Sequence, residues 1–224
     1  MLRSMSFLHC HSTMWEPDIL PRLTRPFYAR SALLVAPDLL GCTLVKREAD
    51  GTVIAGMVVE TEAYTWDDPA CHAYRGETPR CRVMFGEPGC AYLYFTYGMH
   101  HCFNVVTSEP GRGEAVLIRA VQPVAGECVM RERRAKAAIG ASTQLPAHYL
   151  CGGPARLCQA FAFDLSTNGT SLVGDSRLWL EARPPEFSVP FVTTPRIGIS
   201  RAKENYWRFV FADSRFVSRS VQKP

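Results

Sequence analysis

The chain has 224 residues, 47% of them hydrophobic and 21% charged, with a formal net charge of +4. That length is read as one domain, large enough to bury most of its apolar surface without staples. The mild basic excess suits a polyanionic partner without demanding one, and no apolar run approaches membrane-spanning length. Nine cysteines, at 10, 42, 71, 81, 90, 102, 128, 151 and 158, form no C-x-x-C pair. An odd number without a secretory start predicts reduced thiols and a cytoplasmic protein.

In chain order, the opening "MLRSMSFLHCHSTMWEP" lacks a continuous apolar core of signal-peptide length. It is expected to be a loosely ordered extension or an over-long start, with Met14 as an alternative. The pattern "SALLVAPDLLG" from Ser31 predicts a short helix capped by Ser31, bent at Pro37 and stopped by Gly41. Strands follow at 42–48 and 53–63, joined by the turn at Ala49 to Gly51. A polar loop from Thr65 to Pro88 comes next, long for a compact domain, and long ordered loops are usually functional.

"YLYFTYGMHHCFN", Tyr92 to Asn104, alternates before and after Gly98 and predicts a β-hairpin with Tyr97 near its tip. "EPGRG" turns the chain into a strand through "EAVLIRAV", and "PVAGECVMRERRAKAAIG" reads as a helix carrying Arg131, Arg133, Arg134 and Lys136. That basic run is either a solvated helix face or a phosphate-contacting one. Pro154 suits a first helical turn in "GGPARLCQAFAF". Strands are expected around 177–182, 194–200 and 207–213. No strand-helix-strand alternation is sustained, so the reading is a single mainly antiparallel α+β domain.

On an extended strand, Glu60, Glu62 and Tyr64 share one face. Two carboxylates this close could raise one pKa and give a base usable near neutrality, or could simply emerge into solvent. His72, Arg75 and the Tyr-rich hairpin add aromatic faces and a histidine, which is what a pocket for a flat heterocycle requires. The clusters His9–Cys10–His11, Cys71–His72 and His100–His101–Cys102 raise zinc as a competitor, but adjacent strand residues point to opposite faces and no metal-ligand spacing is present. P-loop, dinucleotide and serine-hydrolase motifs are absent too, so neither metal nor cofactor is expected.

Five blocks in order, "VVETEAY", "CHAYRGETPRCRVMF", "YLYFTYGMHHCFN", "AVLIRAVQP" and "GGPARLCQAF", closely resemble the alkyladenine (3-methyladenine) DNA glycosylase family, the type without a helix-hairpin-helix. The resemblance implies one domain over residues 27–217, flanked by an extension at 1–26 and a tail at 218–224. It implies a curved sheet with surrounding helices and a protruding hairpin that enters the DNA minor groove. It further implies base excision repair of double-stranded DNA by a monomer, through flipping of alkylated or deaminated purines and hydrolysis of the glycosidic bond. By position, Glu62 matches the general base and Arg119 an arginine that helps hold the water and backbone. Tyr64, His72 and Tyr94 match the residues around the flipped base, Asn104 the side chain that excludes guanine, and Tyr97 and Met99 the DNA-intercalating tip. No lysine falls in the pocket blocks, so an intact abasic site is expected as product. His100 and His101 remain open between packed side chains and minor-groove contacts. The other reading is a non-catalytic damage-binding module that keeps the pocket and does not cut.

Overall fold

The computed structural model describes residues 17–96, 98–137, 145–187 and 190–221. The described chain first joins the fold beside what becomes the sheet's far strand, where Leu23 N–H bonds Leu180 O and Arg22 bridges Glu181. Two short helices follow, α1 (Arg25–Tyr28) and α2 (Ala32–Asp38). As expected, Ser31 caps α2 by accepting from Leu33 N–H, and Pro37 lies in its last turn. Strands β1 (Thr43–Arg47) and β2 (Val53–Tyr64) form a hairpin, and β3 (Ala91–Thr96) and β4 (His100–Thr107) form the second. Then come β5 (Glu114–Ala125), α3 (Glu127–Ala137), α4 (Ala147–Leu150), α5 (Pro154–Phe161) and three short strands, β6 (Leu178–Glu181), β7 (Phe191–Thr194) and β8 (Arg208–Phe211).

Every strand pairing is antiparallel, along the path β3-β4-β5-β2-β1-β6, with β8 and then β7 branching from β2. The branch has a simple cause. Along one edge β2 pairs with β5 almost throughout; along the other its first half pairs with β1 and Glu60–Glu62 pair with β8. Register shifts between Ala55 and Gly56 and around Glu60 bend the strand, the second of them where β8 takes over from β1, because bulges add twist and curvature. Gly56 is required there: a Cβ would lie 2.5 Å from Val121 Cγ2. The sheet curves around α2 and α5, whose apolar faces meet Val58, Phe103, Val105 and Ile118 in one core. Phe103 and Phe161 both stack on Phe163, at 4.6 and 5.3 Å.

The 65–88 loop holds its shape through a small core of its own. Cys71, Ala73, Cys81 and Met84 pack against Tyr92, Val106 and Ala115 of the sheet, with one turn of 3-10 helix at Arg82–Phe85. All eight described cysteines are free thiols.

Two expectations need correction. The strand expected over 194–200 is β7 at Phe191–Thr194, after which Pro195 cannot donate to a ladder, Arg196 turns inward and Gly198 takes φ +79°. The basic run of α3 is solvated only in part: Lys136 is exposed, while the three arginines are half-buried and engaged with the fold. Arg131 pairs with Glu127 on the same helix and donates to Leu145 O, Arg133 pairs with Glu48 at 2.7 Å, and Arg134 donates to Gln159, so the three arginines tie the helix to its neighbours.

Candidate active site

A cleft of about 640 Å³ opens between the β3–β4 hairpin, β5, the 65–88 loop and the 195–201 segment. Its side walls are aromatic. The alternation read from the sequence holds, since Tyr92, Tyr94 and Thr96 face the cleft while Leu93 enters the core. His72, from the loop, meets Tyr94 edge-on at 4.5 Å and shares a 2.9 Å hydrogen bond through Nδ1 with the Tyr92 hydroxyl. Crowding against those rings and the nearby charge of Arg80 lower its pKa to about 4, so the ring is neutral at physiological pH.

Tyr64 closes the inner end of the cleft, and its hydroxyl donates to Glu62 Oε2 at 2.8 Å. Burial, and next the Glu62 charge, hold that phenol well above its ordinary range, so it stays a donor. Arg119 Nη1 donates to the same oxygen at 3.2 Å, and Ile197 N–H donates to Oε1 at 2.8 Å. Glu62 is itself fully buried, directly behind the lining, and its three donors all belong to residues that line the cleft.

Beneath lies a second carboxylate. Glu60 Oε1 accepts from Arg119 Nε at 2.9 Å, Arg208 Nε at 2.7 Å and Ser218 Oγ at 2.7 Å, and Oε2 accepts from Ser218 N–H at 2.5 Å. Burial alone would raise its pKa, but Arg119 and Arg208 outweigh it and hold the carboxyl below its ordinary value. A third pair closes the group: Arg196 grips Asp68 with both terminal nitrogens and lies against the Tyr64 and Trp207 rings at 4.7 and 5.0 Å. Glu60, Glu62 and Asp68 therefore face Arg119, Arg196 and Arg208, all six buried. The formal charges cancel, which is the condition for burying them together.

Residues 26–215 match the family model for methylpurine-DNA glycosylase (MPG). The chain belongs to the methylpurine-DNA glycosylase family. Its relatives include candidate 3-methyladenine DNA glycosylases of Carboxydothermus hydrogenoformans, 50% identical over 88% of this chain and 98% of the relative, and of Methanoculleus marisnigri, 47% identical with the same coverage of each. A third, from Herpetosiphon aurantiacus, is 43% identical over 88% of each chain. Membership makes the protein a DNA-repair hydrolase of N-glycosyl bonds.

Among the residues expected at the site of such a glycosylase, Tyr64, His72, Tyr94, Asn104 and Arg119 line the cleft. Asn104 is pinned, its Nδ2 donating to Tyr92 O at 3.0 Å. Met99 lies beyond Gly98 between the two hairpin strands and is 67% exposed. Tyr97 lies outside the described residues. The adjacent histidines part company: His100 faces the cleft, whereas His101 packs on Phe95 at 5.0 Å from the opposite face. Sequence reasoning missed Arg208, Ser218 and the Arg196–Asp68 pair. Their signal was charge parity, because two inward-facing glutamates on one strand require more cations than Arg119 alone supplies.

Among the described residues no group of three His, Cys, Asp or Glu side chains could hold a metal ion, and no helix is long and apolar enough to cross a membrane.

Proposed function

We propose that this glycosylase acts on duplex DNA carrying alkylated or deaminated purines, of the class of 3-methyladenine, 7-methylguanine, hypoxanthine and ethenoadenine. The damaged nucleotide turns out of the stack into the cleft, with Tyr97 and Met99 entering the minor groove behind it. The base packs among Tyr64, His72 and Tyr94. A ring made cationic by alkylation gains from electron-rich tyrosine faces and departs without prior protonation. Asn104, fixed through its amide nitrogen, meets the exocyclic amino group of a normal guanine.

The observation that carries the chemistry is the setting of Glu62. A carboxylate offers about four lone-pair sites, and Tyr64, Arg119 and Ile197 occupy three, which leaves one for a water admitted from the cleft. Glu62 takes a proton from that water as its oxygen adds to C1′ and the glycosidic electron pair leaves with the base. The negative charge also stabilises the oxocarbenium character at the sugar. Among the described residues lining the cleft there is no lysine to form a Schiff base, which supports a monofunctional reaction ending at an intact abasic site. The full burial of Glu62 favours one other reading, in which water never reaches the carboxylate and the protein binds damage without cutting.

Single-turnover release of free base separates the two, measured on methylated duplex and on duplexes with one hypoxanthine or ethenoadenine, with EDTA present. Glu62→Gln should bind lesion DNA like the wild type and lose about 10²–10⁴-fold in rate, the range for a positioned general base. Lesion binding without release from any duplex would move the assignment to the binding module. Borohydride trapping of a protein–DNA adduct would overturn the monofunctional step.

A further inference from the structure

The residues that hold the proposed machinery extend past residue 215, where the family match stops. We propose that Ser218 is a positioning residue for base excision, acting through Arg119 on Glu62; this rests on the reading of Glu62 as the general base.

A guanidinium is a rigid plane, and its orientation is fixed only when nitrogens on more than one edge are held. Arg119 is held at all three. Nε meets Glu60 at 2.9 Å, Nη1 meets Glu62 at 3.2 Å, and Nη2 donates to Ser218 Oγ at 3.4 Å. The same hydroxyl donates to Glu60 Oε1 at 2.7 Å, so Arg119, Glu60 and Ser218 form a closed triangle. Removing the hydroxyl opens two of its sides at once. Glu60 would still hold Nε, but the plane could turn about that contact and carry Nη1 away from Glu62 Oε2.

The serine is delivered by a strap rather than a loose end. Phe216 and Val217 pack on the core, Ser218 N–H bonds Glu60 Oε2, and Arg208 Nη2 donates to Arg219 O at 2.8 Å. These backbone contacts survive loss of the side chain, so Ser218→Ala removes the alignment and leaves the strap docked. Ser218 lies behind Arg119 and is not among the cleft residues, so lesion affinity should not depend on it.

The test uses the full chain with Ser218→Ala and Ser218→Thr, following single-turnover release of 7-methylguanine from methylated duplex. Affinity for an abasic-analogue duplex and the thermal midpoint are read in parallel. Ser218→Ala should slow release on the order of 10- to 100-fold, the scale for a displaced catalytic group, with affinity unchanged within about twofold. Ser218→Thr keeps the hydroxyl and should restore the rate to within about threefold of wild type. The proposal is overturned by an alanine variant as fast as wild type, by parallel loss of rate and affinity, or by a folded threonine variant as slow as alanine. The threonine variant decides the matter if the alanine protein does not fold. A wild type that releases no base overturns the glycosylase reading and this role with it, and is recognised because every variant is then equally silent.

Discussion

Arg208 offers a direct measure of how tightly the buried charges depend on one another. It donates to Glu60 from a side chain that is itself buried, and breaking a buried pair by removing one partner strands the other charge in a low dielectric. Arg208→Met should therefore lower unfolding free energy by about 3–5 kcal/mol, read from urea midpoints. The double variant with Glu60→Gln removes one charge of each sign and should recover part of that loss. If single and double variants are equally unstable, Arg208 matters for packing rather than charge. His72 supplies a second test at this scale: its ring proton resonances should titrate near pH 4, which rules it out as a proton donor to neutral bases at physiological pH. A midpoint near the ordinary 6.5 would restore it as a candidate acid. Glu62 and Tyr64 were legible in the sequence because the two-residue period of a strand puts them on one face, whereas Arg119 was nominated only by its place in the blocks that resemble the family. The Glu60 network was not, because its members lie 59, 148 and 158 residues from Glu60 and meet only through the topology.

Elements place these residues by meeting closely, and the closest meeting is the 65–88 loop against β5. A Cβ on Gly113 would lie 2.4 Å from Ala73 Cβ and 3.0 Å from the Phe85 ring. Ala73 adjoins His72 and its Cβ has no flexible end to move aside. Gly113→Ala should thus lift the loop, costing about 1–3 kcal/mol as overpacking does, and weaken lesion binding more than it alters the core of α2 and α5. Binding isotherms beside denaturation curves would show it; unchanged affinity would mean that the loop does not hold His72 in place. Helices and hairpins were readable from local signals such as the Ser31 cap, Pro154 and Gly98. The 195–201 segment was not. Its residues look strand-like singly, but Arg196 leaves the sheet for Asp68, a partner 128 residues away, and so delivers Ile197 N–H to Glu62. A propensity reading has no access to that pull.

Across the whole molecule, groups whose protonation differs between folded and unfolded states set its pH range. His72 falls from 6.5 to about 4 on folding. Between those values the unfolded chain binds the extra proton, so stability declines as pH drops through that window. Glu60, held below its ordinary 4.5, adds a loss with the same sign at lower pH, as its carboxylate is protonated and releases Arg119 and Arg208. At the alkaline end burial raises the Cys42 thiol from 9.0 to about 11 and Cys71 to about 12. There the folded state retains protons the unfolded chain gives up, so stability declines as pH rises above 9.0. These shifts together predict a plateau between about pH 6.5 and 9, with shoulders on both sides. Because His72 stands partly in solvent, the acid shoulder should begin shallow and steepen below 4.5, where Glu60 enters. Thermal midpoints from pH 4 to pH 10 in a reducing buffer test the profile, with His72→Asn flattening only the upper part of the acid limb. An acid limb unchanged by that substitution would assign the whole of it to the buried carboxylates.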